Sequence, residues 1–189
     1  MLSNFKNISV SIIGLGYVGL PLLIEFSKKR KIIGYDKDHD RIKELKKGFD
    51  RTKEIDNTKL LTSTNIKYTN TKKDLHNANC FIICVPTPIS KNKKPDLKNL
   101  ISASKLVAQQ LKKKSIVIYE STVYPGLTEE ICIPLLEKFS KLKNGKDFYC
   151  GYSPERISPG SKDYNLTNII KVVSGSTKKI ALEIDKLYR

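Results

Sequence analysis

Short apolar runs recur along the chain, separated by segments whose apolar residues repeat at helical spacing. Ile8 to Ile13, Lys31 to Tyr35, Ile66 to Thr69, Asn79 to Val85, Ser115 to Tyr119 and Asp147 to Cys150 read as strands. Asn79 to Val85 is apolar almost throughout, as a strand covered on both faces should be. Between the strands, Tyr17 to Lys29 predicts a helix with Leu20, Leu23, Ile24 and Ser27 on its inner side. Asp38 to Lys47 predicts a second, with Ile42 and Leu45 inward and Gly48 as its stop. A short helix is expected at Asp56 to Thr62. A longer one is expected at Asp96 to Lys112, with Leu97, Leu100, Ile101, Leu106, Val107 and Leu111 as its apolar set. Another opens at Gly126 or Thr128 and runs through Leu136. Lys171 to Ser174 reads as a last short strand and Thr177 to Arg189 as a last helix. Strand and helix alternating through short connections predict the α/β class: a doubly wound, mainly parallel sheet in three α/β/α layers.

The first strand ends in Gly14-Leu15-Gly16-Tyr17-Val18-Gly19, and the first helical segment follows at once, with Pro21 in its first turn. This order sets a dinucleotide's pyrophosphate on a helix N-terminus, the arrangement of a Rossmann-like fold. Gly14 permits the tight turn, Gly16 lets the backbone approach phosphate, and Gly19 lets helix and sheet pack closely. Asp36 ends the second strand, about 20 residues past the glycines, where an acid accepts hydrogen bonds from the ribose hydroxyls and repels a 2′-phosphate. The reading is therefore NAD rather than NADP; the alternative for Asp36 is a helix cap or turn residue. Arg41 is placed either over the adenine or phosphates near Asp36, or on the surface. In a doubly wound sheet ligands bind beyond the carboxyl ends of the strands. That rule gathers Gly14 to Gly19, Asp36, Val85 to Pro88, Ser121-Thr122 and Pro154 to Arg156 at one edge.

The chain has 189 residues, enough for one sizeable α/β domain and short for two. With 39% hydrophobic and 29% charged residues it fits a globular rather than a disordered chain. No apolar run reaches the roughly 18 residues of a membrane span, and the start leads almost directly into the first strand, leaving no room for a signal peptide. The expectation is a cytoplasmic protein. The net charge of +16 suits a polyanionic partner, but the lysines are spread along the chain, mostly at helix ends. A solvated basic surface is expected, without nucleic acid or membrane as partner. Cys80, Cys84, Cys132 and Cys150 form no Cys-x-x-Cys pair and only two histidines accompany them, so neither metal nor a disulfide framework is expected.

Gly14 to Pro21, Val85-Pro86-Thr87-Pro88, Glu120-Ser121-Thr122-Val123-Tyr124-Pro125-Gly126 and Tyr152-Ser153-Pro154-Glu155-Arg156 resemble, in order, the motifs of nucleotide-sugar 6-dehydrogenases. Gly48 to Glu54, Ser153 to Gly160 and Leu166 to Asn168 look most like the bacterial branch. That branch acts on UDP-N-acetylglucosamine or UDP-N-acetylgalactosamine in capsule and O-antigen synthesis. Enzymes of this family oxidise C6 of the sugar from alcohol to carboxylate, reducing two NAD. The resemblance implies cofactor contacts at Tyr17, Val18, Asp36, Arg41, Val85, Pro86, Thr87, Ser121 and Thr122. It implies that Glu155 is an acid/base beside C6, with Thr122 helping to hold a reacting water. For Glu155 the alternatives are a helix-start carboxylate or an ion pair with Arg156; Arg156 itself either faces the sugar or does not. The family's nucleophilic cysteine lies on a glycine-rich loop far beyond position 189, as do the dimer-forming helix and the second domain that supplies much of the UDP site. The chain is therefore expected to be the NAD-binding part of a longer, homodimeric enzyme that takes a UDP-sugar, and to turn over nothing alone. UDP-glucose or GDP-mannose as substrate, and a non-catalytic dinucleotide-binding regulatory domain, stay open beside this.

Overall fold

The structure, a computed structural model, describes residues 8–90, 92–156 and 169–189. Its elements are β1 (Val10–Ile13), α1 (Gly19–Ser27), β2 (Ile32–Tyr35), α2 (His39–Lys46), α3 (Asn57–Thr62), β3 (Ile66–Thr69) and β4 (Cys80–Ile83). They continue through α4 (Lys98–Ala108), β5 (Ile116–Tyr119), α5 (Ile133–Ser140), β6 (Tyr149–Tyr152), β7 (Ser174–Gly175) and α6 (Lys178–Tyr188). The sheet has seven strands in the order β3-β2-β1-β4-β5-β6-β7. All neighbours pair in parallel except β6 and β7. β1 lies between β2 and β4, with Val10 opposite both Ile32 and Cys80. Strand order reverses there, so the doubly wound, mainly parallel architecture opens its crevice beyond the ends of β1 and β4.

Period-two alternation sorts the central strands between two cores. Cys80 and Ile82 of β4 join Ile116 and Ile118 of β5 on the face covered by α1, α2 and α6. Phe81, Ile83, Val117 and Tyr119 face the opposite layer, with Leu100 and Val107 of α4 and Leu136 of α5. Leu20, Leu23, Ile24 and Ser27 are buried on α1, as their spacing predicts, and Leu22 and Phe26 are buried as well. Phe26 is enclosed partly by Tyr188 of α6, whose ring meets it edge-on at 5.6 Å.

The differences from the sequence reading are local. A 3-10 turn at Lys72–Asn77 lies between β3 and β4, with Leu75 buried beneath it. The segment opening near Thr128 begins as a π-helical turn, Thr128–Cys132, and α5 then runs past Leu136 to Ser140. Pro134 sits in the first turn of α5 and has no N–H to give to the preceding turn, which is wound wider. β6 is shifted two residues on from Asp147 to Cys150, and β7 forms at Ser174–Gly175 and runs antiparallel. All four cysteines are free and buried. Burial pushes the Cys80 thiol up to about 12 and the Cys132 thiol up to about 11, which makes them packing residues rather than nucleophiles at neutral pH. Among the described residues no helix is long and apolar enough to cross a membrane. Among the same residues no group of three or more His, Cys, Asp or Glu is placed to hold a metal ion.

Candidate cofactor site

β1 delivers the chain into a turn in which Gly14 takes φ +94° and donates its N–H to the carbonyl of Tyr35 at 2.8 Å. A Cβ at Gly14 would stand 2.9 Å from the carbonyl oxygen of Cys84. One at Gly19 would stand 1.9 Å from the carbonyl oxygen of Gly14. At Gly16 a Cβ would meet nothing within 4 Å. Two glycines are thus fixed by contacts within the protein, while the third faces open space at the amino end of α1. No side chain caps that helix; the Leu20 and Leu22 N–H groups donate to the Gly16 and Val18 carbonyls and Pro21 has none, so it is the positive end of the dipole that the helix brings to the opening.

Asp36 closes the other side of the loop. Its Oδ2 accepts from the Leu15 N–H at 2.8 Å and its Oδ1 from the Asp38 N–H at 3.0 Å. A carboxylate has about four lone-pair sites, so each oxygen keeps capacity for a further donor. The cap role belongs to Asp38, whose Oδ1 accepts from the N–H groups of Asp40 and Arg41. Arg41 is buried, contrary to a surface position. Its Nε donates to the Leu15 carbonyl at 2.9 Å and its Nη2 to Asp50 Oδ1 at 2.7 Å.

These groups line a cavity of about 650 Å³, bounded by Gly14, Gly16, Asp36, Arg41, Val85 and Pro86 among others. That volume lies within the usual range for cofactor pockets, about 300–1,000 Å³. Asn99, Ser102 and Leu106 of α4 and Gln109 at its C-cap add to the wall; the sequence reading missed them, although their spacing of three to four residues marks a helical stripe. Tyr17, Val18, Gly19, Thr87, Ser121, Thr122, Glu155 and Arg156 stand outside the lining.

Beyond the cavity, the loops after β4 and β5 are tied together. Thr87 Oγ1 donates to the Thr122 carbonyl at 2.6 Å, and Ser121 Oγ to the Val85 carbonyl at 2.7 Å. Tyr17 is 42% exposed beside the glycine turn, whereas Val18 is buried. After β6, the Ser153 N–H donates to the Tyr119 carbonyl at 3.0 Å and carries the chain to Glu155. Glu155 Oε1 accepts from the Arg156 N–H at 2.8 Å, and the exposed Arg156 donates through Nη1 to the Ile170 carbonyl at 3.1 Å. The rest of that motif, residues 157–160, and Leu166 to Asn168 lie outside the described residues.

Residues 8–189 match the NAD-binding domain of the UDP-glucose/GDP-mannose dehydrogenase family. The chain belongs to that family. Its NAD-binding domain accounts for the whole sheet and the glycine turn. A UDP-N-acetyl-D-glucosamine 6-dehydrogenase of Pseudomonas aeruginosa is 52% identical over 184 residues, covering 97% of this chain and 44% of that protein. Protein CapL of Staphylococcus aureus is 53% identical over 182 residues, covering 96% and 43%. Among solved structures, a UDP-D-ManNAc dehydrogenase from Pyrococcus horikoshii superposes with a TM-score of 0.86 at 36% identity, over 96% of this chain and 44% of that one. The chain thus spans less than half the length of these family members. NAD is the family domain's cofactor, and the residues present fit it: an open cradle at Gly16, the positive end of α1 beside it and an acid at the end of β2.

Proposed function

We propose that this chain is the cofactor-binding part of a longer UDP-N-acetyl-D-glucosamine 6-dehydrogenase. The observation that carries this is the open cradle at Gly16 on α1, in a chain 52% identical to such an enzyme. Gly14, Gly16, Tyr17, Val18 and Gly19 surround the cofactor's diphosphate, and the positive end of α1 neutralises part of its charge. Asp36 accepts from the adenosine ribose through the lone pairs left by Leu15 and Asp38. Arg41 acts through the Leu15 carbonyl that it holds. Val85, Pro86, Thr87, Ser121 and Thr122 meet the other half of the cofactor, and the two hydroxyl bonds between their loops keep that edge rigid. When bound, NAD supplies the hydride acceptor for the sugar alcohol.

Glu155 stands at the end of β6, on the same sheet edge. We assign it the proton-transfer role beside C6, with Thr122 positioning the water that Glu155 deprotonates. Arg156 faces the sugar. The enzyme is assigned to the cytoplasm as a homodimer. The test is NADH production by the longer enzyme with UDP-N-acetylglucosamine, UDP-N-acetylgalactosamine, UDP-glucose and GDP-mannose. The expected result is two NADH per UDP-N-acetylglucosamine, loss of turnover with Glu155→Gln, and NAD binding without turnover by residues 1–189 alone. Preference for UDP-glucose or GDP-mannose would overturn the substrate. Unchanged function with Glu155→Gln would favour a regulatory dinucleotide-binding domain instead.

A further inference from the structure

Two arginines line the cavity next to Asp36, and carboxylates hold both. Arg51, exposed, donates through Nη1 to Asp38 at 2.9 Å and through Nε to Glu44 at 2.6 Å. The more unusual pair is Arg41 with Asp50, whose side chains are 4% and 1% exposed. The Asp50 carboxylate is saturated. Oδ1 accepts from Arg41 Nη2, from the Thr52 N–H at 3.0 Å and from the Thr52 hydroxyl at 2.7 Å. Oδ2 accepts from the N–H groups of Glu54 at 3.0 Å and Ile55 at 3.1 Å. Residues 50–55 are therefore wound around one buried anion, and that anion grips Arg41. With Nε on Leu15 and one N–H of Nη2 on Asp50, Nη1 is the Arg41 nitrogen that makes no hydrogen bond among the described residues, and it is buried.

A guanidinium beside the adenosine ribose is the usual receiver of a 2′-phosphate. Here such a group sits in the wall of the right cavity and is fastened there, Nε on the Leu15 carbonyl and Nη2 on Asp50. We propose that Asp50 is a specificity-determining residue: by holding Arg41 against the glycine turn, it withholds from a 2′-phosphate the cation that would otherwise pair with it. NADP is then rejected twice, by the charge of Asp36 and by the captivity of Arg41. Specificity built from a withheld attraction is as effective as specificity built from repulsion. The proposal rests on NAD occupying this cavity and extends that reading to how the cofactor is chosen.

The test is calorimetric titration of the chain with NAD and with NADP, read as the ratio of the two dissociation constants. Wild type should bind NAD; failure to do so would refute the cofactor reading itself and this proposal with it. Asp36→Asn should lower the NADP/NAD ratio about tenfold by removing one charge. Adding Asp50→Asn should lower it about a further tenfold, and adding Arg41→Met to that pair should return it to the Asp36→Asn value. No further fall, or a fall that survives Arg41→Met, overturns the proposal. If the Asp50 variant does not fold, Asp36→Asn with Arg41→Met decides the matter with Asp50 intact. An unchanged ratio relative to Asp36→Asn shows that Arg41 is held out of reach. A selective loss of NADP affinity of about fivefold or more shows that Arg41 already reaches the phosphate, and overturns it.

Discussion

A methyl group added at Gly16 would touch nothing, whereas one added at Gly19 would stand 1.9 Å from a backbone oxygen. The two substitutions should therefore separate binding from folding. Gly16→Ala is expected to keep its unfolding free energy within about 0.5 kcal/mol of wild type and to lose NAD affinity by tenfold or more, because its Cβ fills the cradle. Gly19→Ala should lower the unfolding midpoint outright, since the Gly14 turn has to shift. Urea denaturation beside calorimetric titration checks both. The glycine turn was legible in the sequence because a sharp strand–turn–helix admits few other residues, and the place of Asp36 beside it from its distance past them. Asp50 was not. A carboxylate among polar neighbours reads the same whether it is solvated or enclosed, and only the fold brings Arg41 within 2.7 Å of it. For Arg41 the sequence left a cofactor-side and a surface position open; the fold puts it in the cavity wall, bonded to a partner nine positions along.

Elements are limited by how they end. All four described non-glycine residues at positive φ are lysines: Lys53, Lys93, Lys114 and Lys141. Lys141 closes α5 at φ 63°, the left-handed position that glycine takes without steric cost. Lys141→Gly is expected to stabilise the chain by about 0.5–1 kcal/mol, read from the urea midpoint. At the end of β5 the constraint is electrostatic. Glu120, 1% exposed, pairs with Lys171 at 2.5 Å and accepts from the Tyr188 hydroxyl. Burial raises its carboxyl above the usual range, against the pull of Lys171. Glu120→Gln alone should destabilise by about 3 kcal/mol, because the Lys171 ammonium stays buried without its counter-charge. Glu120→Gln with Lys171→Met should recover most of that loss. Equal destabilisation by the single and double variants would show that the pairing contributes nothing. The helices and inner strands were readable from periodicity, whereas the last strand, expected at Lys171 to Ser174, forms three residues later as β7 at Ser174–Gly175. Its two residues pair antiparallel with Gly151 and Tyr152, and a partnership that short leaves no hydrophobic pattern.

For the molecule as a whole, acid sensitivity follows from the enclosed loop. Burial raises the Asp50 carboxyl, but hydrogen bonds from Thr52, Arg41 and the Ile55 backbone outweigh it and hold the group below its ordinary value. A depressed carboxyl stabilises the fold fully above the unfolded value of about 3.9 and loses that contribution as pH falls through the native one. Glu120, shifted the other way by burial, has the opposite sign and favours the fold as it gains a proton above the ordinary carboxyl range. Stability should therefore hold to about pH 4 and decline below it, more steeply in wild type than in Asp50→Asn; denaturant midpoints across that range measure the difference. The architecture was legible from alternation alone, and the cofactor edge from the rule that ligands gather where strand order reverses. That reversal also bears on synthesis. β1 is flanked by β4, 70 positions later in register, and the Gly14 turn rests against the Cys84 carbonyl. A nascent chain emerging from the ribosome thus has its phosphate loop in sequence long before it has it in shape, and gains a cofactor cradle only once the residues around Cys84 have followed it out.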